Sequence, residues 1–297
     1  MCRERACPSR NAQMHNHRDF VVLFDGGTML EGPRWHDGRV WFSDFFNYRV
    51  MSVGLDGKAE IVAEVPAMPS GLGWDTAGRL LIVSMRDHKL LRLDGGKLVE
   101  VADMSEHAIF SSNDMVVDRE GRAYVGNFGF DSPGGAEPKP TCILRVDPDG
   151  AVSKVAEDIH FPNGMVISED GKTLVVAESR ADRLAAFDIN DDGSLSNRRL
   201  FADLGAGGFP DGICMDAEGA VWVAAPRPRK LSRVFEGGRV AETIEFDWRL
   251  PVACVMGGED RHTLFVVTTP VLGPRSAEFN MGKVEMLRVD VPGAGIP

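Results

Sequence analysis

The sequence lacks two features that would point to a membrane or to nucleic acid. It has no run of eighteen or more apolar residues, so no segment is long enough for a membrane-spanning helix. Basic residues are in deficit, with 33 Lys and Arg against 44 Asp and Glu and a formal net charge of −11. Because binding to a phosphate backbone needs basic patches, DNA and RNA are disfavoured as partners, and no membrane partner is expected.

Cysteine is also scarce. Five cysteines are scattered over 297 residues, and two of them, Cys2 and Cys7, fall in the polar, basic stretch of residues 1–19. This stretch lacks the apolar core of a secretory signal, so we predict a disordered leader over residues 1–19, with Met14 as an alternative start, and one domain over residues 20–297. An odd, irregularly spaced set of cysteines favours the reducing cytoplasm over a disulfide framework.

Two common hydrolase motifs are missing. The chain contains neither a Gly-x-Ser-x-Gly elbow nor a His-Glu-x-x-His sequence. Their absence argues against the usual serine hydrolases and zinc proteases. With 43% hydrophobic and 26% charged residues, the chain can nevertheless bury a full core. The evidence for a function lies instead in the repeated segments of the chain.

The chain contains a degenerate repeat of six copies. Most copies open on a polar or acidic residue, continue with an apolar run and end in an acidic turn closed by glycine. In four copies the glycine follows eight residues after the opening residue, and in the first copy seven. The six opening residues are Glu31, Ser70, Asn113, Asn163, Asp211 and Val252. Intervals of 39 to 50 residues between them indicate one closed repeat domain.

Each repeat supplies short strand-like segments separated by turn residues. In the third repeat, strands are predicted over residues 114–117, 123–128, 142–146 and 151–156. Four strands per unit without an intervening amphipathic helix are typical of a propeller blade. The sequence therefore predicts an all-β fold, a six-bladed β-propeller with four-stranded blades. Seven blades are the alternative, but no seventh unit is found.

The sixth repeat is one strand short. It supplies strands over residues 252–256, 263–268 and 284–289, with no fourth strand after them. An unused strand lies at residues 20–24, before the first repeat. Pairing it with the sixth unit would close the ring and remove two open sheet edges. We therefore predict that the N-terminal strand closes the last blade.

Strand order places the six opening residues at one end of a central channel. If the first strand of each blade runs inward from the top face, its opening residue lies on that face. The loops between the second and third strands lie there too. Two long connections of this kind, residues 129–141 and 270–282, would overhang the channel mouth. This mouth is the predicted site.

Four of the opening residues carry oxygen donors. Glu31 and Asp211 are carboxylates, and Asn113 and Asn163 are amides. A hard oxygen set with a charge of −2 suits Ca²⁺, Mg²⁺ or Mn²⁺ better than a thiolate-seeking metal. Zn²⁺ is less natural because the ring holds no histidine, but it stays open. The alternative is simple turn chemistry, which Asn and Asp favour but which does not explain Glu31.

Four of the segments resemble the motifs of a known family. In combination they are similar to the signatures of the gluconolactonase, regucalcin and luciferin-regenerating enzyme family. The segments are Leu30-Glu31-Gly32-Pro33-Arg34-Trp35, Ser112-Asn113-Asp114-Met115-Val116-Val117-Asp118, Phe161-Pro162-Asn163-Gly164-Met165 and Phe209-Pro210-Asp211-Gly212-Ile213-Cys214-Met215-Asp216.

The resemblance implies a six-bladed propeller that binds one divalent cation through Glu31, Asn163 and Asp211. It implies that Asn113 is a further ligand or a substrate contact and that Asp211 is the general acid/base. The implied reaction is hydrolysis of a small-molecule lactone, sugar-derived or related, to its hydroxy acid. A bound cation would polarise the lactone carbonyl while Asp211 moves the proton of the attacking water.

Two further positions bear on the substrate. Family members carry an arginine two residues before the position of Asn113, and here that residue is Ser111. They carry an acid eighteen residues after it, and here that residue is Asp131. We predict both as substrate contacts. The missing arginine argues against a lactone with many hydroxyl groups, whereas Asp131 favours some hydroxyl recognition.

Two alternative functions stay open at this point. Calcium-dependent propeller phosphotriesterases resemble this chain in a set of two carboxylates and two amides, so a phosphotriesterase-like metal hydrolase is the second interpretation. The third is a non-enzymatic propeller with a structural cation and a protein partner. The proline-containing loop of residues 129–141 could serve as a substrate lid or as that interaction surface.

Overall fold

Short segments rich in Val, Ile and Leu, interrupted by glycine turns, form antiparallel strands along the described chain. The computed structural model describes residues 19–296, so the predicted leader lies outside the described residues except for Asp19. The strands form six sheets, the blades of a ring, each built on four strands. The predicted all-β, six-bladed propeller is thereby confirmed.

The strands follow the order of the repeats. An N-terminal strand, β1 (Val21–Gly27), precedes the first repeat. The first three blades comprise the strands β2 (Leu30–His36), β3 (Arg39–Asp44), β4 (Arg49–Gly54), β5 (Ala59–Glu64), β6 (Pro69–Trp74), β7 (Leu80–Ser84), β8 (Lys89–Asp94), β9 (Lys97–Asp103), β10 (Ser112–Val117), β11 (Ala123–Asn127), β12 (Thr141–Val146) and β13 (Val152–Ile159). The last three comprise β14 (Pro162–Ile167), β15 (Thr173–Glu178), β16 (Arg183–Ile189), β17 (Leu195–Asp203), β18 (Ile213–Asp216), β19 (Val221–Ala225), β20 (Lys230–Val234), β21 (Val240–Glu245), β22 (Leu250–Gly257), β23 (Thr263–Thr269) and β24 (Gly282–Arg288).

Helical structure among residues 19–296 is limited to two 3₁₀ turns, Phe45–Asn47 and Pro274–Glu278. Neither is long enough to cross a bilayer. The three cysteines of this part of the chain, Cys142, Cys214 and Cys254, are buried free thiols.

The ring closes through the N-terminal strand, as predicted. β1 pairs antiparallel with β24, from Val21 opposite Met286 to Gly27 opposite Gly282. The strand extends three residues beyond the predicted segment, because Asp25 and Gly27 continue the ladder opposite Lys283 and Gly282. Trp35 of the first blade also stacks on Phe265 of the last, with ring centres 5.3 Å apart. Hydrogen bonds and aromatic packing therefore both close the ring.

The C-terminal segment adds a contact that the sequence does not predict. A two-residue strand, β25 (Gly293–Ala294), pairs with β18 and gives the fifth blade a fifth strand. Further on, Ile296 exchanges two backbone hydrogen bonds with Ile167, at 2.6 and 2.9 Å. The end of the chain is thus tied to the innermost strands of the fourth and fifth blades, at the ends opposite to the predicted site.

The core lies mainly between neighbouring blades. One representative cluster joins Leu81 and Val83 of the second blade to Met115 and Val117 of the third. All four side chains are buried. The innermost strands are almost wholly buried, whereas the outermost strands, such as β5 and β9, are largely exposed or half-buried. A tightly packed wall of inner strands therefore surrounds the channel that carries the predicted site.

Candidate metal and active site

The predicted opening residues lie at the ends of the innermost strands, on the face that carries the long loops. Glu31 pairs with Ser43 at the end of β3, and Ser112, next to Asn113, pairs with Asn127 at the end of β11. The antiparallel ladder thus puts the opening residues beside the loops that follow the second strands. Two of those loops are residues 128–140 and 270–281, so the predicted top face is confirmed.

Glu31, Asn113 and Asn163 each lie where the inner strand departs from regular pairing. The ladders slip between Glu31 and Arg34, between Ser112 and Met115, and between Pro162 and Met165. An extra residue in a strand bends it and re-aims its side chains, and such bulges are common next to active sites. These three residues therefore lie outside the regular alternation of their strands.

Glycine follows the ring residue in four of the six blades, and close packing explains why. A Cβ atom at Gly164 would lie 2.6 Å from the carbonyl oxygen of Asp211, and one at Gly71 would lie 2.3 Å from the backbone nitrogen of Met115. Such approaches leave no room for a side chain. The glycines let the inner strands of neighbouring blades touch, which draws the ring residues together around one axis.

The two amides are linked to each other across a blade boundary. Nδ2 of Asn113 donates to Oδ1 of Asn163 at 3.2 Å and to the carbonyl of Pro162 at 3.3 Å. Nδ2 of Asn163 donates to Oγ of Ser179 at 3.2 Å, and that hydroxyl donates to the carbonyl of Pro210 at 2.6 Å. This chain of hydrogen bonds runs from the third blade to the fifth and fixes the Asn163 amide beside the backbone that leads to Asp211.

The two carboxylates are buried and repel each other. Only 8% of Glu31 and 4% of Asp211 is exposed. Burial and the charge of Asp114 raise the pKa of Asp211 to about 8, against a partial offset from the amide of Asn163. Burial raises the pKa of Glu31 well above its usual range, and the charges of Asp211 and Asp114 add to this effect. The metal-free site therefore favours protons where the sequence predicts a cation.

A third buried carboxylate, Asp114, has its own counter-ion. Nη2 of Arg34 lies 2.8 Å from Oδ1 of Asp114, and Nε of Arg34 donates to the carbonyl of Leu72 at 3.0 Å. The sequence does not by itself predict this pair. When the repeats are aligned, however, Asp114 stands where four other blades have glycine, and this exception marks the position as unusual.

The donors present fit a hard divalent cation. Among residues 19–296 no three His, Cys, Asp or Glu side chains are grouped to hold a metal, so a site here has to use amide oxygens beside two carboxylates. Oδ1 of Asp211 is buried and has no hydrogen-bond partner, which is costly for a carboxylate oxygen unless a ligand completes it. An all-oxygen set with two negative charges matches Ca²⁺, Mg²⁺ or Mn²⁺ better than Zn²⁺.

The two predicted substrate contacts lie apart from this ring. Ser111 is half-buried at the start of the third inner strand, and its carbonyl accepts from the backbone N–H of Phe128 at 2.9 Å. Asp131 is exposed in the long loop, where its Oδ1 accepts from the N–H of Gly134 at 2.7 Å. The structure thus brings Glu31, Asn113, Asn163 and Asp211 together, whereas a substrate role for Ser111 and Asp131 stays a prediction.

Aromatic residues line the approach to the ring, and two of them have strained backbones. Phe161 and Phe209 each stand two residues before an oxygen donor, with φ angles of 59° and 39°. Left-handed backbone in a bulky residue costs free energy and tends to cluster at functional sites. Phe161 also stacks on Phe128 at 4.5 Å. The repeated Phe-Pro pair before Asn163 and Asp211 is the signal in the sequence for this feature.

Comparisons with known proteins agree with this architecture. The model of the SMP-30/gluconolactonase/LRE-like region matches residues 29–270. A 6-deoxy-6-sulfogluconolactonase from Pseudomonas putida is 31% identical over 68% of this chain and 69% of its own length. A regucalcin from Xenopus laevis is 32% identical over 80% of this chain and 82% of its own length.

Among solved structures, a calcium-binding protein described as regucalcin, from Agrobacterium tumefaciens, superposes with a TM-score of 0.80. It is 24% identical, and the match covers 94% of this chain and 97% of that one. At this level of identity the likeness shows the shared fold.

Proposed function

Because the chain belongs to the SMP-30/gluconolactonase/LRE-like family, we propose that it is a divalent-metal-dependent lactonase that opens a sugar-derived or related lactone to its hydroxy acid. The observation that carries the proposal is the set of four oxygen donors at the ends of the innermost strands. Two buried carboxylates of raised pKa, Glu31 and Asp211, meet two amides, and one oxygen of Asp211 has no hydrogen-bond partner. Excess buried negative charge of this kind is stabilised by a cation.

The proposed ligands are Glu31, Asn163 and Asp211, with Asn113 as a fourth ligand or as a contact to the substrate. Asn163 can use its Oδ1, which keeps a free lone pair beside the bond from Asn113. Its orientation is set by the bond from Nδ2 to Ser179. When bound, a divalent cation supplies a Lewis acid that polarises the lactone carbonyl. The preferred ion is Ca²⁺, Mg²⁺ or Mn²⁺, with Zn²⁺ as the fourth possibility to be tested.

Asp211 is the proposed general acid/base. A water molecule attacks the lactone carbonyl, a carboxylate oxygen of Asp211 accepts its proton, and the same proton passes to the ring oxygen as the ester bond breaks. Because a carboxylate has two oxygens, one oxygen of Asp211 can serve as the ligand while the other takes this role.

The proposed substrate class rests on the named activity of a relative and on one position where this chain departs from the family. A lactonase for a sulfonated sugar lactone is among the relatives, by its name, so sugar-derived lactones are the first class to test. Ser111 stands where the family carries a substrate-gripping arginine, which favours a lactone with fewer hydroxyl contacts at that position. Asp131 is the proposed partner for a remaining hydroxyl group, once its loop lies over the bound substrate.

The test is a matrix of metals and substrates. Chelator-treated protein is reloaded with Ca²⁺, Mg²⁺, Mn²⁺ or Zn²⁺ and assayed on five- and six-membered sugar lactones, aliphatic lactones and one phosphotriester. We expect lactone hydrolysis that vanishes with chelator and returns with a metal. Turnover of the phosphotriester alone would identify a phosphotriesterase-like hydrolase. Metal binding that raises thermal stability without any turnover would favour the non-enzymatic binding propeller.

A further inference from the structure

Two arginines on the top face of the fourth and fifth blades share one aromatic ring. Arg180 lies in the loop between β15 and β16, and Arg227 lies in the equivalent loop between β19 and β20. The guanidinium carbons of Arg180 and Arg227 lie 5.4 and 4.0 Å from the centre of the Phe209 ring. Arg180 also lies over Phe130, at 5.5 Å. Aromatic faces orient the two cations but offer no acceptor for their N–H groups.

Both arginines are attached to the backbone that positions the proposed ligands. Phe209 precedes Asp211 by two residues, and its left-handed backbone holds the ring in place. Arg180 directly follows Ser179, the residue that links the Asn163 amide to the carbonyl of Pro210. The aromatic ring that both arginines share is therefore two residues from Asp211, and Arg180 is one residue from the hydroxyl that fixes the Asn163 amide.

Among residues 19–296 neither arginine forms an ion pair with a carboxylate, although the negative charge of Asp182 acts on Arg180. The side chain of Arg180 makes one hydrogen bond, from Nη2 to Oγ of Ser132 at 3.2 Å, and its Nε is buried without any partner. The carboxylate of Asp182 is close in sequence, but its oxygens accept from the backbone N–H groups of Gly207 and Phe209, at 2.9 and 2.8 Å.

The rest of the same blade shows how arginines are normally satisfied in this protein. Arg183 and Arg198 both pair with the buried carboxylate of Glu178, at 3.0 and 2.9 Å. Arg180 has no such partner, and burial together with the positive charge of Arg227 lowers its pKa. An incoming anion would offset the cost of burying the Arg180 guanidinium and its repulsion by Arg227. It would also accept a hydrogen bond from the unpartnered Nε.

We infer that Arg180 and Arg227 form a subsite for an oxyanion carried by the substrate, such as a carboxylate, sulfonate or phosphate group remote from the lactone carbonyl. The planar, forked guanidinium matches the geometry of all three groups. The inference deepens the proposed lactonase function and rests on it for the identity of the rest of the substrate. The subsite also gives a protein of net charge −11 a local means of holding an anion.

The test compares matched lactones. Glucono-1,5-lactone and its 6-sulfo, 6-phospho and 6-carboxy analogues are assayed with the metal-loaded protein and with Arg180→Gln and Arg227→Gln. The measured quantity is the ratio of kcat/KM for each anionic lactone to that for the neutral one. We expect this ratio to fall about tenfold or more in each variant, mainly through KM, because a charge-assisted hydrogen bond is lost. Arg227 is exposed, so its variant is expected to fold normally.

Arg86→Gln is the matched control. Arg86 lies in the equivalent loop of the second blade and donates to the hydroxyl of Tyr48, away from Phe209. Its replacement is expected to leave the ratio unchanged. A ratio that stays at the parent value in both test variants while lactones are still hydrolysed would overturn the subsite and leave the lactonase proposal intact.

A readout without turnover separates the two proposals. Thermal unfolding is followed in sodium sulfate and in sodium chloride at equal ionic strength. The stabilisation by sulfate is expected to be larger in the parent and in Arg86→Gln than in an Arg180→Gln, Arg227→Gln double variant, which keeps only the general stabilisation of folded proteins by sulfate. If no lactone is hydrolysed but this pattern holds, the subsite stands and the lactonase proposal fails. If sulfate stabilises all variants equally, the subsite is overturned.

Discussion

Arg34 and Asp114 are separated by 80 residues in the sequence, yet their side chains meet at 2.8 Å among the inner strands of the first and third blades. Arg34 also donates to the carbonyl of Leu72 in the blade between them. Both side chains are almost wholly buried, so the pair joins three blades, and the charge of Asp114 acts on both Glu31 and Asp211. It also balances the one carboxylate near the ring that is not a proposed ligand.

This pair should matter for stability. Arg34→Met leaves Asp114 buried and unpaired, so we expect a loss of about 3–5 kcal/mol in the free energy of unfolding. The double variant Arg34→Met, Asp114→Leu should regain most of the loss, because no buried charge remains. Equilibrium unfolding in guanidinium chloride measures both. Lys58→Met, which removes an exposed pair with Asp56, is the control and should leave the midpoint unchanged. A loss under about 1 kcal/mol in Arg34→Met would contradict the role of the pair.

The raised pKa values predict how the metal-free protein responds to pH. Asp211 titrates at about 8 in the folded protein, whereas an unfolded aspartate titrates near pH ~4. Its protonated form therefore stabilises the fold below that lower value, and this stability is lost as the pH rises through about 8. The pKa of Glu31 is shifted in the same direction.

Metal binding should accordingly depend on pH. At neutral pH a cation displaces protons from the site, so its affinity should rise with pH up to about 8. Thermal unfolding of chelator-treated protein, with and without added metal, tests this at pH 6 and pH 8. We expect a larger stabilisation by metal at the higher pH. Equal shifts at both values, with no proton release in calorimetry, would show that these carboxylates do not bind the ion.

Ser111 should influence which lactone is preferred. Ser111→Arg restores the residue that family members carry two positions before Asn113, so we expect a higher kcat/KM for polyhydroxylated lactones relative to aliphatic ones. Ser111 is half-buried and stands two residues before Asn113, a proposed ligand or substrate contact. Ser105→Arg, in an exposed turn of the preceding loop, is the control for added charge. A substrate profile identical to the parent would show that position 111 does not contact the substrate.

Much of the fold could be predicted because the same arrangement of residues recurs in every blade. Asn163 and Asp211 stand at the same distance from their turn glycines, Gly171 and Gly219, so their equivalence was readable without coordinates. The closing strand was readable as well, because the sixth unit lacks a fourth strand. The four oxygen donors of the ring followed from these two regularities.

The remaining features depend on contacts between residues that are far apart in the sequence and do not recur from one repeat to the next. Arg34 reaches Asp114 across two blade boundaries, and Arg180 meets Arg227 only because two loops fold over Phe209. The pairing of Gly293–Ala294 with β18 likewise joins parts of the chain that are far apart. Long-range contacts of this kind are set by the geometry of the ring, and local spacing carries no information about them.

In the proposed function, one cation held by Glu31, Asn163 and Asp211 serves hydrolysis at Asp211. The most direct measurement is bound metal and lactone turnover, on the same samples, for the parent, Glu31→Gln, Asp211→Ala and Ser70→Ala, a ring position without a proposed ligand. We expect Glu31→Gln to weaken metal binding by at least about tenfold and Asp211→Ala to lower turnover about 10²- to 10⁴-fold, with Ser70→Ala close to the parent. Unchanged metal content and unchanged turnover in the Glu31 and Asp211 variants would contradict the account.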